Sequence, residues 1–90
     1  MEVTVARSFI KDLKSAPKPV QQAADAAIKA LVEAKNLQSS GLDYTKMEGQ
    51  KKGENYYRIR IGDWRVVYII DDAARLVSVT RIAHRSEVYD

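Results

Sequence analysis

Residues 56–70 read YYRIRIGDWRVVYII, and the pair Gly62-Asp63 inside them decides the fold. On either side of that pair, residues alternate with the period of a strand that buries one face. Glycine followed by aspartate between two such runs predicts a two-residue hairpin turn of type II′, whose first residue takes a positive φ. Fixing the turn fixes the register. Ile61 then pairs with Trp64, Arg60 with Arg65, Ile59 with Val66, Arg58 with Val67 and Tyr57 with Tyr68. One face collects Tyr57, Ile59, Ile61, Trp64, Val66, Tyr68 and Ile70, the side expected to meet a core. The other collects Tyr56, Arg58, Arg60, Arg65, Val67 and Ile69. Three guanidinium groups are therefore expected on the uncovered face, two of them directly opposed.

Working outward, MEVTVA at the start alternates around Val3 and Val5 and predicts a short strand. Phe9, Ile10 and Leu13 then fall at helical spacing over 7–15, with Ser8 as the expected cap. Pro17 and Pro19 end that pattern and suit the first turn of a second helix. Its apolar stripe runs through Ala24, Ala27, Ile28, Leu31 and Val32, with Gln21, Gln22, Asp25 and Lys29 opposite. Residues 36–53 show no sustained period and hold three of the four glycines, which reads as a connection with a brief extended piece near Tyr44–Met47. Strands are expected over 54–61, 64–70 and 75–83, and residues 84–90 form a polar tail. The order βααβββ predicts an α+β fold over 1–90 as one domain. A helical hairpin would cover one face of a small, mainly antiparallel, twisted sheet.

Composition narrows the chemistry. The 90 residues contain no cysteine and one histidine, which leaves no thiolate metal site and no disulfide, and no metal or cofactor is expected. No apolar run approaches a membrane span and no secretory signal is visible, so a cytoplasmic location is expected. The net charge of +3 is a weak pointer to a polyanion, but its placement says more. Six of the seven arginines lie from Arg58 onward. Arginine forms forked hydrogen bonds to phosphate from a fixed surface, whereas lysine acts as a point charge. Like charges directly opposed on a sheet are destabilising, so the cluster reads as an anion site instead of ordinary surface charge. Arg81 joins this face if the last turn has three residues and leaves it if the turn has four. Beyond the strand, His84, Arg85 and Tyr89 are expected within reach of the same face, and Lys51 and Lys52 form a basic loop tip.

The segments TKMEG, YYRIRIGDWRVVYIIDD and VTRIAHRSEVY together resemble the RelE/ParE superfamily of bacterial type II toxins, over nearly the whole chain. That resemblance implies a toxin held inactive by a cognate antitoxin, commonly as two toxins with two antitoxins. RelE-like members cleave mRNA in the ribosomal A site. By the same resemblance Arg58 and Arg60 match two basic residues of the first hairpin strand, and Arg65 matches the arginine after the hairpin aromatic. Arg85 and Tyr89 match a late arginine and a near-terminal tyrosine, and His84 stands where several relatives carry histidine. Arg58 and Arg60 depart from the lysines of the best-known member, and arginine is a poor proton-transfer group. The expected catalytic set is thus Arg60, Arg65, His84, Arg85 and Tyr89. RNA contacts are expected from Lys51, Lys52, Arg58 and Arg81. Which group gives and which takes a proton stays open. The alternative implied by the same family is a ParE-like inhibitor of DNA gyrase with no nuclease activity. A non-toxic nucleic-acid-binding module is a third reading.

Overall fold

The computed structural model describes residues 1–47, 55–71 and 75–87. Its elements are β1 (Glu2–Val5), α1 (Arg7–Lys14), α2 (Lys18–Glu33), a 3₁₀ turn (Gln38–Ser40), β2 (Tyr44–Lys46), β3 (Tyr56–Ile61), β4 (Trp64–Asp71) and β5 (Leu76–His84), followed by a 3₁₀ turn at Arg85–Glu87. The strands form one five-stranded sheet in the order β1-β5-β4-β3-β2. β1 runs parallel to β5, and the other pairs are antiparallel. This is the expected α+β fold, with the extended piece near Tyr44 realised as the edge strand β2.

The hairpin register is the one the turn dictates, from Tyr57↔Tyr68 through Ile61↔Trp64. Gly62 has φ 56°, while Asp63 is not among the residues with positive φ, the combination that a type II′ turn requires. The face shared by Ile59, Val66, Tyr68 and Ile70 meets Val77, Val79 and Ile82 of β5 and the helical residues Phe9, Ala24 and Leu31 in one core. Burying each large apolar side chain stabilises the fold by roughly 1.5–3 kcal/mol. Tyr68 lies at the centre, wholly buried, with its ring stacked on Tyr57 at 5.7 Å. Burial pushes its phenol well above the ordinary tyrosine range, and the neighbouring Tyr57 and Tyr44 add to the shift.

Pro17 precedes α2 and Pro19 lies in its first turn, as their missing N–H groups allow. Ala24, Ala27 and Leu31 are buried along the helix, whereas Val32, expected in that stripe, is 52% exposed. α1 also departs from expectation. Its N-cap is Ala6, and Ser8 does not cap the helix. The Ser8 hydroxyl instead donates to the Thr80 carbonyl at 2.6 Å. β1 ends at Val5, so the edge of β5 beyond Val79 has no partner strand. α1 supplies the missing partners. Besides Ser8, the Asp12 carboxylate accepts the Ile82 N–H at 3.2 Å.

One irregularity positions the rest. Asp71 pairs with Leu76, so four residues intervene, and continuing that register would set Arg81 opposite Val66 on the core side. A β-bulge between Val67 and Tyr68 intervenes, with Thr80 as the extra residue of β5 and its hydroxyl donating to the Val67 carbonyl at 3.1 Å. After it, Val67 faces Arg81, Val66 faces Ile82, Arg65 faces Ala83 and Trp64 faces His84. His84, expected in the tail, is the last residue of β5, and Arg75, expected in that strand, precedes it with φ 52°.

Candidate functional site

Strand pairing lines up two rows of side chains on the face away from the core. In one row Arg60 lies opposite Arg65, which lies opposite Ala83. In the next, Thr45, Arg58, Val67 and Arg81 follow one another across four strands. The Arg60 N–H donates to the Asp43 carbonyl at 2.9 Å, which adds Asp43 to the end of the first row. Neighbouring strands are about 4.8 Å apart, so long side chains on adjacent strands share space. Arg58, Arg60 and Arg65 do so with Asp43 and Thr45, lining a single concavity of about 240 Å³.

Arg65 is held in place by its own turn. Its Nη1 donates to the carbonyls of Gly62 and Trp64, both at 2.9 Å. A guanidinium carries five N–H donors, so the N–H groups on Nε and Nη2 remain for a ligand. A cation fixed in advance by backbone acceptors stabilises developing charge without reorganising first. Arg58 is half-buried and Arg60 exposed, which gives the concavity a fixed wall and an open one. On the same face, Val67 pairs with Arg58 and Ala83 with Arg65, and both, like Ile69 further along β4, are half-buried.

The other expected residues fall elsewhere. The bulge returns Arg81 to the side of Val67, but its guanidinium is engaged by Asp12, with Nε and Nη2 at 2.6 and 3.1 Å from the two carboxylate oxygens. Hydrogen bonding to Asp12, and then the carboxylate's charge, raises the Arg81 pKa further. Arg81 is thus spent on pinning α1 to β5. Arg85 lies at the hairpin turn, where its backbone N–H donates to the Asp63 carbonyl at 2.7 Å and its Nε is 3.7 Å from the Asp63 carboxylate. Both side chains of that pair are about two-thirds exposed, and such surface pairs hold little energy. Arg65 and Arg85 therefore meet the same turn.

His84 faces Trp64, whose own partner Ile61 packs against the core, so the imidazole projects on the helix side of the sheet. It meets the Trp64 ring edge-on at 5.7 Å, and its Nδ1 is 2.9 Å from the Ser86 hydroxyl. The Ser86 N–H also approaches Nδ1, at 3.3 Å. The structure does not bring His84 to the arginine face. Lys51, Lys52 and Tyr89 lie outside the described residues. Among the described residues, no group of three or more His, Cys, Asp or Glu is placed to hold a metal ion. No described helix is long and apolar enough to cross a membrane.

Asp43 and Thr45 are the members that the sequence did not single out. Their signal is the alternation of Asp43 and Thr45 around Tyr44, which places both on one side of β2. The long connection to β3 hid which side that is.

Comparison with known proteins places this geometry in context. Residues 3–89 match the family described as the ParE toxin of the type II toxin–antitoxin system parDE. Toxin RelE3 of Methanocaldococcus jannaschii is 32% identical over 90 residues, covering 100% of this chain and 97% of that protein. The toxin in the RelB–RelE antitoxin–toxin complex from Methanococcus jannaschii superposes with a TM-score of 0.77 at 29% identity, over 96% of this chain and 94% of that one. The archaeal RelE–RelB complex from Pyrococcus horikoshii OT3 shares the fold, with a TM-score of 0.70 at 23% identity over 97% of both chains.

Proposed function

The chain belongs to the RelE/ParE superfamily of type II toxin–antitoxin toxins, and from that premise we propose that it is a metal-independent endoribonuclease acting on mRNA at the ribosome. The observation that carries the reading is the single concavity lined by Arg58, Arg60 and Arg65. Cleaving RNA with its own 2′-hydroxyl as nucleophile requires little covalent chemistry from the protein. It requires that the ribose oxygen, phosphorus and leaving 5′-oxygen be held in line, that the 2′-hydroxyl proton pass to water and the 5′-oxygen take a proton from water, and that charge growing on the phosphoryl oxygens be stabilised. Arg60 and the pre-set Arg65 supply that stabilisation, for which fixed cations are usually the largest contribution. Arg58 and Arg85 hold the flanking phosphates, contacts that position RNA without reading its sequence. Arg81, committed to Asp12, contributes to the scaffold. His84 stands outside the reacting set.

The partner is a cognate antitoxin, by likeness to the RelB–RelE complexes, in an assembly of two toxins and two antitoxins. Acidic antitoxin groups near the concavity would occupy the arginines that RNA needs. The half-buried Val67 and Ile69 beside them give such a chain apolar surface to cover. The site of action is the cytoplasm. The gyrase-inhibiting alternative is not favoured, because the 32%-identical relative and the 29%-identical structure are both RelE proteins. Mapping RNA 5′ ends after expression without antitoxin, with purified ribosomes present and absent, tests the proposal. Ribosome-dependent cuts within the reading frame, with gyrase supercoiling unaffected, are expected. Intact mRNA together with lost supercoiling would reverse the assignment.

A further inference from the structure

Three of the four cations that the proposed reaction uses line the concavity, which also contains one carboxylate and one hydroxyl. Asp43 sits at the end of the row Arg60–Arg65–Ala83, one residue before β2, and its backbone carbonyl is already occupied by the Arg60 N–H. Gly41, with φ 73°, ends the preceding 3₁₀ turn and sends the chain into this row. Among the described residues no ion pair within 4.0 Å joins Asp43 to Arg60 or Arg65, so the carboxylate is not simply their bound counter-ion. It is an exposed acceptor beside Arg60, lining the same concavity as the arginines. A pure phosphate site gains nothing from such a group, since carboxylate and phosphate repel. A ribose-phosphate does. In RNA the 2′-hydroxyl is a hydrogen-bond donor within one sugar of the phosphate, and it distinguishes RNA from DNA at a given site.

We propose that Asp43, with Thr45 beside it, is a specificity-determining residue that accepts a hydrogen bond from the ribose 2′-hydroxyl while the arginines hold the adjacent phosphate. This rests on the reading of the concavity as the RNA site and adds the sugar to it. Asp43 does two things there. It orients the 2′-oxygen toward the phosphorus, and its negative charge lowers affinity for DNA and free phosphate, which offer no hydroxyl in return.

The test compares Asp43→Ala and Asp43→Asn with the wild type for binding of two short single strands of identical sequence, one 2′-fluoro RNA and one native RNA carrying a non-bridging phosphorothioate, alongside the matching DNA. Hydrogen bonds to charged acceptors are among the stronger ones, so the wild type is expected to prefer the hydroxyl-bearing strand about tenfold or more. Asp43→Ala should erase most of that preference and Asp43→Asn, which keeps a neutral acceptor oxygen, only part of it, with the melting temperature checked by circular dichroism. If both variants bind all strands more tightly by the same factor, Asp43 acts only through its charge and the proposal fails. It fails equally if the preference is unchanged. Ribosome-dependent cleavage by the wild type, measured alongside, separates this failure from that of the nuclease reading. A protein that cuts mRNA but keeps its 2′-hydroxyl preference after Asp43→Ala loses only the inference about Asp43.

Discussion

Replacing Arg60 by threonine should make the protein more stable and less active. Arg60 and Arg65 are directly opposed across the hairpin, one pair from the turn. Like charges so placed destabilise a sheet by roughly 0.2–1 kcal/mol, and Arg65 cannot swing away because the Gly62 and Trp64 carbonyls hold it. Threonine at an exposed strand position is at least as good a strand former. The backbone hydrogen bond from residue 60 to the Asp43 carbonyl needs no side chain and survives the change. A gain of about 0.5 kcal/mol follows, or about 2–4 °C in melting temperature for a chain of this size. Because the origin is repulsion, the gain should shrink as salt is raised from about 0.05 to 1 M, where the screening length falls to about 3 Å. Thermal and urea unfolding at both salt concentrations measure this, and cleavage on programmed ribosomes measures the functional loss. If Arg60→Thr lowers stability at both salts, Arg60 supports the fold and the argument that function keeps it there is wrong.

Four further outcomes follow from the fold. The Tyr68 hydroxyl is buried with no hydrogen-bond partner among the described residues, so Tyr68→Phe should stabilise by about 1 kcal/mol in urea unfolding. The folded state holds the Tyr68 proton more tightly than the unfolded chain does, so wild-type stability should be intact below about pH 10 and fall above it, more steeply than in Tyr68→Phe. Asp12→Ala strands the Ile82 N–H at the edge of β5 and should cost about 1–3 kcal/mol, seen as a lower urea midpoint, whereas Arg81→Ala leaves that bond in place and should cost less. Gly62→Ala meets no steric neighbour within 4 Å but must adopt φ 56°, so about 1–2 kcal/mol of purely conformational destabilisation is expected, with Gly62→Asn milder.

The hairpin was legible because a two-residue turn leaves no freedom: once Gly62-Asp63 is placed, every pair from Ile61↔Trp64 to Tyr57↔Tyr68 follows. The arginine face followed with it. The helices were readable from their apolar spacing, although Val32 shows that a hydrophobic residue at the margin of a stripe need not be covered. What could not be read lies beyond the reach of local pattern. The bulge at Thr80 adds a single residue, yet it sets both Arg81 and His84, returning the first to the arginine side and turning the second toward the helices. Asp12 and Arg81 are 69 residues apart in sequence, and only the docking of α1 on the bare edge of β5 joins them. That docking also takes Ser8 from its expected capping role. Asp43 was hidden for a similar reason, since the register of a three-residue strand such as β2 is set by its partner and not by its own alternation.

The most direct measurement is the single-turnover rate of mRNA cleavage on programmed ribosomes by wild type and by Arg65→Ala, with both proteins shown to be folded. The account places Arg65 where charge develops on the phosphate, and losing one such donor typically slows reaction by about a hundredfold or more. A rate reduced to that extent is the predicted result. Cleavage by Arg65→Ala at the wild-type rate would contradict it.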